Sequence, residues 1–107
     1  MRLLMIALMV CGFGTGVYAA DDKGDASAGK KLAGSLCAQC HDTTGDEKPR
    51  NPPGNAPPFI SLAQSHEQTA EKLRRYLMLP HGRMVNLLVT GRDADNVVSY
   101  IVSLRRQ

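Results

Sequence analysis

The sequence predicts an all-α domain of three to four helices, and three observations carry that expectation. Apolar residues recur at helical intervals in successive stretches, and capping residues stand where those stretches begin. No segment shows the strict apolar–polar alternation of a half-buried strand. The third observation is a shortage: beyond residue 20 the only aromatics are Phe59, Tyr76 and Tyr100, and tryptophan is absent. A domain this small buries a limited share of its surface and often needs a staple or cofactor to complete its core.

Residues 1–19 have the layout of a cleaved signal peptide. Arg2 supplies a short positive start, Leu3 to Val10 is apolar, and Gly12, Gly14 and Gly16 follow. Cleavage after Ala19 places small Val17 and Ala19 at the two positions the peptidase reads; cleavage after Ala20 would place Tyr18 in the first of them. The apolar run falls well short of the ~20 residues a spanning helix needs, which disfavours a retained anchor. Cys11 follows Val10 rather than a small residue, so it reads as a passive part of the leader, not a lipid site. The mature domain is then residues 20–107. Loss of Arg2 lowers the formal charge from +3 to +2, because residues 1–19 contain no acidic residue. So weak a charge gives no support to nucleic-acid binding.

Residues 20–25 are charged and belong to a frayed start. From Ala26 to Gln39 a helix is expected, with Leu32 and Leu36 among small Ala28, Gly29 and Ala33, and with Asp25 or Ser27 as cap. Residues 42–58 hold five of the six prolines, so they form neither a regular helix nor a central strand. A loop wrapping one side of a cofactor suits them. Phe59 to Ala63 makes a short apolar turn or helix. Ser65 with Gln68 reads as a capping box opening a helix to about Leu79, one side of it lined by Leu73, Tyr76, Leu77 and Pro80. Pro80-His81-Gly82 stops that helix, and Arg83 to Val89 connects onward. Thr90 caps the last helix, whose apolar face is Ala94, Val97, Val98, Ile101 and Leu104, and Arg105-Arg106 suit its C-terminal dipole.

The chemistry sits in Cys37-Ala38-Gln39-Cys40-His41. Two thiols three residues apart, followed at once by histidine, form the pattern of covalent haem attachment. Cys37 and Cys40 would be the thioether anchors and His41 the proximal axial ligand to iron. A thioredoxin-like dithiol would want a βαβ context that the chain lacks. A zinc site would need more ligands than His66 and His81 can add. The second axial position has four candidates: Met78, Met84, His66 and His81. Met78 lies inside an expected helix, where methionine is ordinary core or surface. His66 reads as a solvated first-turn residue, and His81 is the reserve ligand. Met84, on irregular backbone between two helices, is best placed to present sulfur to iron. Asp42, Asp46, Glu47, Glu67 and Glu71 read as solvated surface and cap charges.

With these residues in view, the chain resembles a class I monohaem cytochrome c of a Gram-negative bacterium, over nearly all of the mature domain. The resemblance rests on Ala26 to Ala33 leading into Cys37–His41, on Pro80-His81-Gly82-Arg83-Met84, and on Asp95 to Leu104. It implies a cytochrome c-like fold around one covalently bound haem c, with Met84 as the distal ligand. It also implies that Gly29 meets Tyr100 where the first and last helices cross, and that a proline carbonyl, from Pro57 or Pro58, supports His41. Two positions depart from the family pattern. Val85 follows Met84 where proline is frequent, and Ala33 replaces an aromatic, which weakens the expected crossing.

Two axial ligands fill the iron's coordination sphere, so the expected activity is periplasmic outer-sphere electron transfer between Fe(II) and Fe(III), not enzymatic catalysis. No catalytic residues are expected. The expected partners are redox proteins: a periplasmic dehydrogenase, a reductase or a terminal oxidase. Two other readings share the same residues, a dedicated cytochrome subunit of a periplasmic oxidoreductase and a haem-based gas sensor.

Overall fold

The computed structural model describes residues 24–50, 55–80, 82, 84 and 89–105. The expected leader, residues 1–19, and His81 lie outside them. Four helices run α1 Ala26–Leu36, α2 Phe59–Gln64, α3 Ala70–Met78 and α4 Gly91–Ser103, and no strand occurs among the described residues. The all-α expectation holds.

Helix α1 starts where a side chain meets its free N–H groups. Asp25 Oδ1 accepts from the N–H of Ser27 at 2.8 Å and of Ala28 at 3.2 Å, so Asp25 is the cap and Ser27 is not. The helix ends at Leu36 rather than Gln39. Cys37 N–H still reaches Ala33 O, but Cys40 N–H and His41 N–H both turn back to Cys37 O. The two cysteines and the histidine therefore stand on tight turns, not on helix.

Helix α4 packs against each of the other three. Its buried side is Ala94, Val97, Val98, Tyr100 and Ile101, as the apolar spacing foretold, with Leu104 partly buried at its end. It crosses α1 at almost backbone contact. A Cβ placed on Gly29 would lie 1.8 Å from Asn96 O and 3.0 Å from Tyr100 Cβ. The small residue does face the aromatic, and Ala33 beside it is fully buried. The missing aromatic at position 33 has not loosened the crossing, because Gly29 brings the two backbones together. Asn96 Oδ1 also accepts the Asp25 N–H at 2.8 Å, which ties the start of α1 to α4.

Two starting points differ from the sequence expectation. The Ser65–Gln68 capping box does not open α3; those residues form a turn in which Gln68 N–H donates to Ser65 O at 3.1 Å. Thr69 is the cap instead, its hydroxyl accepting Lys72 N–H at 3.2 Å. The turn is held from outside by Arg105, which donates to Ala63 O and to Gln68 O. Those tertiary bonds outweigh a local cap worth about 1 kcal/mol. At α4, Thr90 occupies the cap position, but its side chain makes no capping bond.

Candidate haem site

The turn after α1 and the loop that follows it are organised by a carboxylate that the sequence reading placed on the surface. Asp42 is buried, with 6 % exposure. Its Oδ1 accepts the Thr44 hydroxyl at 2.6 Å and the Thr44 N–H at 2.9 Å, and its Oδ2 accepts the Arg50 N–H at 2.5 Å. Its own carbonyl accepts Phe59 N–H at 2.9 Å. Tyr100 fastens the same loop from α4, donating its hydroxyl to Thr43 O. Nothing in the sequence marked Asp42 for this role, because its partners lie in a loop without periodicity.

These bonds hold the Asp42 carboxyl down at about 2, the Thr44 hydroxyl being the largest cause, then the Thr44 and Arg50 N–H groups. The Arg50 side chain, 3.9 Å away and largely exposed, adds little. A folded value below the unfolded one means stability that is complete above the unfolded value near ~3.9 and is lost as pH falls toward about 2. The shift corresponds to about 2 kcal/mol. Asp42→Asn should lower stability by roughly that amount at pH 7, and the gap from wild type should close near pH 2. Urea unfolding midpoints measured across that range check it. Burial, followed by the charges of Asp42 and Asp46, pushes the Tyr100 hydroxyl upward, so it remains a donor at neutral pH.

The loop returns the chain to His41. Nδ1 of His41 lies 2.7 Å from Pro57 O. A carbonyl can only accept, so Nδ1 carries the proton and Nε2 keeps its lone pair for a metal. Of the two prolines expected to support the histidine, it is Pro57. The Phe59 ring sits 5.4 Å from the imidazole at 59°, and Tyr100 lies behind Phe59 at 6.3 Å. The imidazole is thus set by a hydrogen bond on one side and an aromatic wall on the other.

His41, Cys37, Cys40 and Met84 all line one cavity of about 700 Å³, walled mainly by Phe59, Leu62, Leu73, Leu77 and Ile101. Cys37 is buried and Cys40 exposed, so the pair spans the cavity's rim. Burial pushes the Cys37 thiol up to about 11, which is the setting of an inert thiol rather than a redox dithiol. Among the described residues no three His, Cys, Asp or Glu side chains are grouped as a metal ion would need. The site's chemistry fits a haem: a metal-ready imidazole, two thiols beside it, a thioether sulfur and apolar walls.

The other ligand candidates fall elsewhere. Met78 ends α3 with its sulfur 2.8 Å from the Arg74 guanidinium, whose Nε also bonds Asp95 Oδ1 at 2.6 Å. Met78 does not line the cavity. His66 is exposed beside a separate, smaller cavity. Met84 lies on the segment between α3 and α4, and Val89 N–H closes that segment onto Leu77 O at 3.1 Å. Tyr76 reaches the cavity, although 46 % of its surface stays exposed. Gln68 also lines it, a residue the sequence reading treated only as part of a cap.

Comparison with known proteins agrees with this geometry. Residues 26–105 match the family model for cytochrome c. The chain is similar to cytochrome c-552 of Bradyrhizobium diazoefficiens, 30% identical over 105 residues that cover 98% of this chain and 95% of that protein. No solved structure gives a significant match. The chain belongs to the cytochrome c family: it is an electron carrier rather than an enzyme, and its redox centre is the iron of one covalently bound haem c.

Proposed function

We propose that this cytochrome works in the periplasm by outer-sphere electron transfer, with Cys37 and Cys40 as thioether anchors, His41 as proximal ligand and Met84 as distal ligand. The observation that carries the reading is the shared cavity: His41 and Met84 line it together with both cysteines, while Arg74 holds the Met78 sulfur elsewhere. Bound haem supplies reversible one-electron exchange at its iron. Pro57 fixes the His41 tautomer, and Phe59 limits its rotation. With Met84 as second ligand, no position on the iron would be left for a substrate, and electrons would be exchanged without a bond to it. The apolar walls exclude water, which keeps solvent reorganisation small and favours the reduced state.

Export is supported by the leader-like composition of residues 1–19, and the alignment with the Bradyrhizobium relative runs through 98% of the chain. No helix among the described residues is long and apolar enough to cross a membrane. The redox partners proposed are periplasmic dehydrogenases, reductases or terminal oxidases.

Met84→Ala tests the ligand assignment. The variant should retain covalent haem but lose the methionine–Fe(III) charge-transfer band at the red edge of the oxidised spectrum, and its reduction potential should fall. An unchanged spectrum would move the distal ligand to another side chain.

A further inference from the structure

His41 belongs to a closed circuit of contacts, and one member of that circuit comes from α4. The segment from His41 to Phe59 meets itself at three points. His41 Nδ1 donates to Pro57 O at 2.7 Å, Phe59 N–H donates to Asp42 O at 2.9 Å, and the Phe59 ring lies 5.4 Å from the imidazole. Tyr100 supplies two further contacts. Its hydroxyl donates to Thr43 O, and its ring sits 6.3 Å from that of Phe59. One side chain thus holds both limbs of the loop, the one leaving His41 and the one returning to it.

Tyr100 is firmly placed for this. It is buried, and its Cβ faces Gly29 where α1 and α4 cross. Helix α4 in turn packs against each of the other three helices. Filling the space at the crossing needs only a phenyl ring. A buried hydroxyl costs stability unless it is paired, and this one finds its partner 57 positions away, just beyond the histidine. The hydroxyl therefore links the packed helices to the loop that orients His41, a connection that packing alone does not require.

We infer that Tyr100 is a positioning residue for the proximal ligand: its hydroxyl keeps the loop closed on His41, holds Pro57 O in line with Nδ1, and so lowers the reduction potential. The connection runs through the Nδ1–H···O bond. A ligating histidine that donates its second N–H to a carbonyl becomes a more basic ligand. A more basic imidazole gives more electron density to iron and favours Fe(III). Hydrogen bonds weaken steeply as they bend, so a small opening of the loop is enough to weaken this one. Phe59, pressed between Tyr100 and His41, carries the same constraint to the face of the imidazole.

The inference rests on the proposal that His41 is the proximal ligand, and its test keeps the two apart. Tyr100→Phe retains the ring and removes only the hydroxyl. In reduced, ¹⁵N-labelled holoprotein, the His41 Nδ1 proton of this variant should exchange with solvent roughly five- to tenfold faster than in wild type, as the loss of one hydrogen bond implies. Its reduction potential at pH 7 should lie above wild type. An exchange rate at the wild-type value, or a potential unchanged or lowered, overturns the inference. Val97→Ala separates positioning from lost stability. It empties space in the core of the same helix without changing charge, and Val97 neither joins the circuit nor lines the haem cavity. Both readouts should stay at wild type there; equal movement in the two variants would mean general loosening and sink the idea. If Tyr100→Phe does not retain haem, wild type decides. Its Tyr100 hydroxyl proton and His41 Nδ1 proton should exchange through one opening, with the same dependence on denaturant, and two separate openings overturn the inference. Wild-type protein without covalent haem strikes the haem assignment itself, whereas bound haem with a His41 proton indifferent to Tyr100 strikes only this one.

Discussion

Replacing Cys37 and Cys40 together with alanine is expected to abolish covalent haem and, with it, the native fold. The cavity beside His41, about 700 Å³ and open to solvent on one side, is lined by the turn after α1 and by apolar residues of α2, α3 and α4. The whole stability of a domain is about 5–15 kcal/mol. A chain unable to fasten its haem cannot hold such a space open, so it collapses or unfolds. Without haem, the buried side chains of Phe59, Leu73, Leu77 and Ile101 that line this space would lose the apolar partner they face. Far-ultraviolet circular dichroism and haem staining of the double variant, beside wild type, check this. A haem-free variant with native helicity and a cooperative melt would show that the polypeptide core suffices.

Gly29→Ala should be the most damaging single-methyl change in the protein. Alanine normally gains about 1 kcal/mol over glycine inside a helix. Here the added Cβ would lie 1.8 Å from Asn96 O and 2.4 Å from Asn96 C, atoms of another helix's backbone that no rotamer change can move. The helices must separate, disturbing the Asp25–Asn96 bond and the packing of Tyr100. Overpacking costs typically 1–3 kcal/mol, and a clash with backbone belongs at the top of that range. The expected net loss is about 2 kcal/mol. Gly34 provides the control on the same helix, because nothing lies within 4 Å of a Cβ added there. Gly34→Ala should stabilise by up to ~1 kcal/mol. Denaturant midpoints for the two holoprotein variants should therefore move in opposite directions, and movement in one direction would refute the close-crossing account.

Several elements of the fold were legible because their signals are local. The spacing of Val97, Val98 and Ile101 set the buried side of α4, and the prolines of residues 42–58 excluded regular structure wherever they are described. Local signals failed where a distant residue intervened. The Ser65–Gln68 pattern has the form of a capping box, yet Arg105, 37 residues beyond Gln68, holds it as a turn. Asp42 looked like one more solvated acid, because only the Thr44 donors are local, and the Arg50 and Phe59 N–H groups reach it when the loop closes.

The same division runs through the haem site. Sequence alone pointed to the cofactor and proposed its anchors, since Cys37, Cys40 and His41 are neighbours in the chain and their pattern needs no other element to be recognised. It also put Met84 ahead of Met78, His66 and His81 as the expected second ligand. The tertiary structure adds that Arg74 engages the Met78 sulfur and that Met84 lines the same cavity as His41. It likewise chose Pro57 over Pro58 to orient His41. Covalent attachment is written in adjacent residues. Orientation, burial and charge belong to residues that become neighbours only when the chain has folded.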